Sequence, residues 1–203
     1  MAEEWQCLNV NHNTDMIFHF FATNMLLKKY SPNWINDFNN IKAKLEKAVD
    51  GLAFTIEHVG STAVPNLDAK PIIDIDIIYN NQADFEIIKS RLENIGYYHY
   101  GNQGIEDRDV FKRKSLSTDS ILDAVQHHLY VCPINSKALE RHILFRDYLR
   151  KNDWARIKYQ EMKYELAAQA NQNKKVYAAL KEDNINDFID SIIGMEKVSQ
   201  NKS

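Results

Sequence analysis

The chain has 203 residues, 44% hydrophobic and 26% charged, with a net charge of −3, an ordinary globular composition that gives no reason to expect broad, sequence-independent nucleic-acid binding but leaves room for a local basic pocket. Its two cysteines, Cys7 and Cys132, give no disulfide framework and suit a reducing cytoplasm. No apolar run approaches the ~20 residues needed to cross a bilayer.

The first 27 residues read as an N-terminal extension. Residues 1–15 are loosely patterned, and Glu3, Glu4 and Asp15 argue against a secretory signal. Met16 to Leu27 is apolar but interrupted by His19, Thr23 and Asn24. It is expected to pack as a helix on the body of the protein, with an interfacial membrane helix as the alternative.

Tyr30-Ser31-Pro32-Asn33-Trp34 is a turn into a helix over 34–49, with Ile35, Phe38, Ile41, Leu45 and Val49 at helical spacing and Gly51 as a stop. Phe54 to Val59 reads as a strand that leaves through Gly60-Ser61. Thr62 to Val64 is expected to form one helical turn capped by Ser61. Ile72 to Tyr79 is a second strand, apolar enough to lie inside its sheet. Ala83 to Ile95 is an amphipathic helix, and Tyr97–Tyr100, Val110–Lys114 and Val125–Cys132 are further strands. From 134 onward the pattern is helical: 136–150, 153–169 and 174–194, then a polar tail. Strands first and helices after predict an α+β fold, with a mixed sheet over 28–133, a helical bundle over 134–195 and a flexible tail over 196–203.

The segment Glu57-His58-Val59-Gly60-Ser61-Thr62-Ala63-Val64-Pro65, followed by Lys70-Pro71-Ile72-Ile73-Asp74-Ile75-Asp76, carries the chemistry. Asp74 and Asp76, two apart in a strand, point to the same face. Two unpaired carboxylates in an apolar run are costly, and a divalent cation between them is the simplest remedy; hard oxygen ligands suit magnesium. Backbone N–H groups at a Gly-Ser turn opening a helix can cradle a phosphate. Twelve residues separate Ser61 from Asp74, so turn and carboxylates belong to consecutive strands.

These segments resemble the GrpB family, which is similar in fold to the nucleotidyltransferases and their pattern Gly-Ser…Asp-x-Asp. The resemblance extends over about residues 28–190, through Gly96-Tyr97, Phe111-Lys112-Arg113, His127-His128-Leu129-Tyr130-Val131 and Phe145-Arg146-Asp147-Tyr148-Leu149-Arg150. It implies a nucleotidyltransferase-like mixed sheet with flanking helices. The implied reaction is metal-dependent transfer from a nucleoside triphosphate to an acceptor, for which the negative net charge favours a small molecule over a long nucleic acid. The alternative is a non-catalytic nucleotide- or phosphate-binding module, accessory to coenzyme A metabolism. The chain departs from the family in having Tyr130 where a histidine is usual. It departs from the nucleotidyltransferases in having no third carboxylate within Val125–Cys132, and Asp123 would serve only if that strand began earlier.

The expected site is therefore Asp74 and Asp76 as metal ligands, with His128 as third ligand or base. Gly60, Ser61, Thr62, Lys70, Lys112 and Arg146 are the expected phosphate contacts. Three points stay open. His58 is either core or site. One of Lys112 and Arg113 faces the cleft. Arg146, four before Arg150, is a phosphate contact, part of a solvated face, or a salt bridge holding its helix to the sheet. Lys163 and Tyr164 carry the same ambiguity, whereas Tyr159, Met162, Leu166 and Tyr177 are expected in the core.

Overall fold

The structure, a computed structural model, describes residues 25–116 and 118–200. The N-terminal extension up to residue 24 and the tail from 201 lie outside the described residues, and with them most of the helix expected over Met16–Leu27.

Helix α1 (Asn33–Ala48) leads into β1 (Phe54–Val59), a 3₁₀ turn (Ser61–Ala63) and β2 (Ile73–Tyr79). Helix α2 (Asp84–Asn94), β3 (Tyr97–His99), β4 (Asp109–Arg113) and β5 (His127–Pro133) follow. The chain ends in α3 (Lys137–Lys151), α4 (Asp153–Gln169) and α5 (Lys174–Gln200). This is the expected α+β architecture: a mixed five-stranded sheet with flanking helices, plus a C-terminal helical bundle. Strand order is β1-β2-β5-β4-β3; only the β2–β5 pair is parallel. β2 is an interior strand, as its isoleucines require. Ile73, Ile75 and Ile77 are fully buried, each contributing roughly 1.5–3 kcal/mol. A slip of one residue would place aspartates there instead, so the register is fixed.

One sheet face packs on α1 and α2 through Phe38, Ile41, Leu45, Ile88 and Leu92. A second apolar cluster joins Leu26, Leu27, Val64 and Leu67 to Tyr148, Tyr159, Leu166 and Ile185 of the bundle. The other sheet face turns its polar residues toward α3. Ser136 caps α3, its hydroxyl accepting from Leu139 N at 3.2 Å.

Two local expectations need correction. Ser61 does not cap the short turn but is its first residue; Gly60 holds the cap position, and no side chain closes the turn. The last helix does not stop at Gly194. It continues to Gln200 because tertiary contacts outweigh one glycine: Glu196 is buried and accepts from Lys151 Nζ at 2.6 Å, and Tyr148 Oη donates to Met195 Sδ. No helix of the described residues is long and apolar enough to cross a membrane.

Candidate functional site

The register of three strands builds the site. Val59 lies opposite Asp74 and Glu57 opposite Asp76; Asp74 pairs with His128 and Asp76 with Tyr130. All six therefore project from one face of the sheet. The expected common direction of the two aspartates holds, but their surroundings differ. The Asp74 side chain is 28% exposed and its Oδ1 accepts from His128 Nδ1 at 2.8 Å. Asp76 is wholly buried; its Oδ2 accepts from His142 Nδ1 at 2.8 Å, while its Oδ1 has no hydrogen-bond partner.

Gly60 meets Asp74 directly. It takes φ 71°, and a Cβ built on it would lie 2.2 Å from Asp74 Oδ2. Glycine is required here both by the positive φ and by the approach of the carboxylate. Behind the turn, buried His58 donates from Nε2 to Thr62 Oγ1 at 3.0 Å, and that hydroxyl donates to Ile72 O. His58 also stacks on Phe38 at 4.6 Å between ring centres. Burial pushes its pKa down to about 4, so it is a neutral strut between β1, the turn and β2. Of its two open readings, the structure shows the core one.

A cleft of about 720 Å³ opens over Asp74, between the sheet face and the bundle. Gly60, Ser61, Thr62, Lys70, Asp74 and His128 all line it. Lys70 reaches across to the Tyr177 ring, 4.3 Å from its centre, and burial foremost lowers its pKa. Thr62 is almost wholly buried, with its hydroxyl engaged by His58 and Ile72 O. Cations predominate on the walls: Lys70, Arg108, Lys137, Arg141, Lys163 and Lys181 against Asp74, Glu106 and Glu182. A chain of net charge −3 thus gathers positive charge around Asp74.

Arg146 and Lys112 do not line this cleft. Arg146 is buried and donates to Glu57 Oε2 at 2.6 Å, His58 O at 2.9 Å and Asp147 Oδ1 at 2.8 Å. It holds α3 against β1, and neither the solvated face nor the phosphate contact is what the structure shows. Lys112 continues the β4 register to a place beside His128 but lies over the Tyr100 ring, 3.2 Å from its centre. Arg113 points to the opposite face, where Asp123 accepts from it at 2.7 and 3.0 Å. Asp123 is thereby spent outside the site and is no third carboxylate. Glu57 is the additional carboxylate on the site face, and Arg146 occupies it.

The sequence reading missed His142. It stands on α3 in a stripe at i, i+4 and i+8: His142 reaches Asp76, Arg146 reaches Glu57, and Arg150 donates to Ala63 O at 2.7 Å. The period of four was the available signal. Arg141, one residue before this stripe, instead reaches Asp190 and Asn186 of α5. Among the described residues no group of three or more His, Cys, Asp or Glu side chains is arranged to hold a metal ion by itself.

Fold and site define an α+β protein with Asp74 lining a cationic cleft and Asp76 buried two residues along the same strand face. The family profile described as "GrpB protein" matches residues 24–191, and the chain belongs to the GrpB family. It is 31% identical to glutamate-rich protein GrpB of Alkalihalophilus pseudofirmus, over 83% of this chain and 94% of that one. It is 30% identical to UPF0157 protein YqkA of Bacillus subtilis, over 75% of this chain but only 43% of that longer relative. Among solved structures, conserved protein GrpB from Enterococcus faecalis superposes with TM-score 0.69 at 27% identity, covering 83% of this chain and 98% of that one. Structures of the Cid1 poly(U) polymerase are more distant: the complex with its product ApU gives TM-score 0.46 at 13% identity, covering 79% of this chain and 48% of that one.

Proposed function

We propose that the cleft binds a nucleoside triphosphate with a divalent metal and transfers its nucleotidyl group to a small-molecule acceptor. The observation that supports this most is the pair Asp74 and Asp76 on one sheet face, the first pressed on the Gly60-Ser61 turn and the second keeping a buried, unpartnered Oδ1. An orphaned carboxylate oxygen in the interior is expensive, and a cation is the ligand that would satisfy it. The donor set fits magnesium, which takes one or two protein carboxylates and completes its shell with substrate phosphates and water. That division of ligands accords with two aspartates and no larger protein cluster.

Asp74 and Asp76 would hold the metal, whose chemistry there is to neutralise charge on the phosphates. His128 and His142 fix the orientation of the two carboxylates through their Nδ1–H bonds. Gly60 and Ser61 offer backbone and hydroxyl to a phosphate, and Lys70 adds charge. The bundle forms one wall of the cleft. Arg146 acts indirectly, by fixing the α3 wall on which His142 stands.

A second reading, a nucleotide-binding module without transferase chemistry, is favoured by the carboxylate inventory. Glu57 is engaged by Arg146 and β5 presents His128 and Tyr130 where a further acid would stand. Incubation with magnesium, α-labelled nucleoside triphosphates and a metabolite pool separates the two. Labelled product with pyrophosphate release supports transfer; tight binding with no product over a broad acceptor pool supports the module.

A further inference from the structure

Three lysines from three segments meet on the bundle side of the cleft. Lys70 precedes β2, Lys163 stands on α4 and Lys181 on α5. Lys163 and Lys181 approach the same Tyr159 ring, 4.8 and 5.8 Å from its centre, and Lys70 lies over Tyr177. Lys163 is almost wholly buried, and its ammonium donates to Ser61 Oγ at 3.3 Å and to Asp68 O.

None of the three makes an ion pair with a carboxylate among the described residues. The Asp68 side chain is turned away, accepting from Lys29, Tyr30 N and Tyr164. Glu182 also lines the cleft but pairs with none of the lysines. Elsewhere the chain partners its buried charges: Arg146 with Glu57, Glu196 with Lys151. Here aromatic rings hold the ammonium groups without neutralising them. Burial, and then the charge of Lys181, lowers the pKa of both Lys70 and Lys163, whereas Lys181 itself is raised, by Tyr159 foremost. Repulsion from Lys181 on the other two lysines is offset only in part for Lys70 by Asp74 in the same cleft, so entry of an anion is favourable.

We propose that Lys70, Lys163 and Lys181 form a subsite for a polyphosphate tail, continuous with Ser61, so that the cleft discriminates ligands by the number of linked phosphoryl groups. The proposal rests on the nucleotide reading above and names what the bundle wall contributes to it. Lys163 bridges the phosphate turn and the tail subsite by contacting Ser61. Lys70 and Lys181 then meet the phosphoryl groups farther along. Because the lysines act by charge, inorganic tripolyphosphate should bind without nucleoside and without metal.

The test is calorimetric titration of the full chain, in EDTA and physiological salt, with orthophosphate, pyrophosphate, tripolyphosphate and adenosine. Affinity should rise from orthophosphate to tripolyphosphate by about a hundredfold or more, with adenosine weak, in line with charge-assisted bonds. Lys70→Gln and Lys181→Gln should each lower tripolyphosphate affinity about tenfold, whereas Lys42→Gln on α1 should not. Lys163 also fixes the Asp68 segment, so the other two lysines carry the test. Tripolyphosphate binding no tighter than orthophosphate, or unchanged in both variants, overturns the subsite. Tripolyphosphate binding without any nucleotidyl transfer would leave the subsite standing and remove the transferase reading alone. Binding of metal–nucleotide without tripolyphosphate would do the reverse.

Discussion

Gly60 and Asp74 are packed so closely that a single added carbon does not fit: a Cβ on Gly60 would stand 2.2 Å from Asp74 Oδ2. The contact ties the turn after β1 to the first aspartate of β2, so neither can move without the other. Gly60→Ala should therefore do two things. The positive φ alone costs an L-residue roughly 1–2 kcal/mol, and the clash displaces the Asp74 carboxylate besides. Chemical denaturation should show a loss of at least that size, and nucleotide affinity should fall with it. A variant as stable as the parent would show that the turn relaxes freely.

Arg146 gives the second prediction. Its guanidinium is buried between Glu57, Asp147 and His58 O. Removing one partner of such an arrangement leaves the others unpaired, at about 3–5 kcal/mol for a fully buried pair. Because Glu57 is one-third exposed, about 2–3 kcal/mol is the expected loss for Arg146→Ala after solvent screening. Unfolding in urea measures it directly. A stable Arg146→Ala variant with weakened phosphate binding would return Arg146 to the role of a ligand contact.

The third concerns pH. Burial holds His58 down at about 4, against about 6.5 in the unfolded chain. Between those values the unfolded state binds the extra proton, so stability rises with pH across the window and falls on acidification from about 6.5 toward 4. The full shift corresponds to about 3 kcal/mol. His127, also lowered chiefly by burial, acts in the same direction. Urea unfolding at pH 7.5 and pH 5 should show lower stability at pH 5, with a shallower dependence in His58→Gln. An unchanged dependence in that variant would assign the effect elsewhere.

Much of this architecture was legible in the sequence, for identifiable reasons. The isoleucines flanking Asp74 and Asp76 fix one face of β2, and period-two alternation alone puts both aspartates on the other. Helix α4 was expected over 153–169 and is found there, because Asn152 and Asn171 bound an uninterrupted helical pattern. Side-chain partnership was not legible. Whether Arg146 meets solvent, phosphate or Glu57 depends on where α3 crosses β1, which no local spacing states. The choice between Lys112 and Arg113 needed the β4–β5 register. His142 was hidden because its partner, Asp76, lies 66 residues away. The end of α5 was misjudged because Gly194 weakens the helix locally, whereas Lys151 and Tyr148 hold it from another element.

Thermal unfolding with a nucleoside triphosphate analogue, with and without magnesium, reports whether Asp74 and Asp76 hold a metal-bound nucleotide. The parent chain, Asp74→Asn and Asp76→Asn are each referred to their own ligand-free midpoint. Ligand at 100 times its Kd adds about 2.7 kcal/mol, roughly 5–10 °C for a domain of this size. The predicted result is a magnesium-dependent rise of that order in the parent and its loss in both variants, with any metal-independent part retained. A rise that persists in both variants, or no rise with any nucleotide–metal pair, would contradict the assignment.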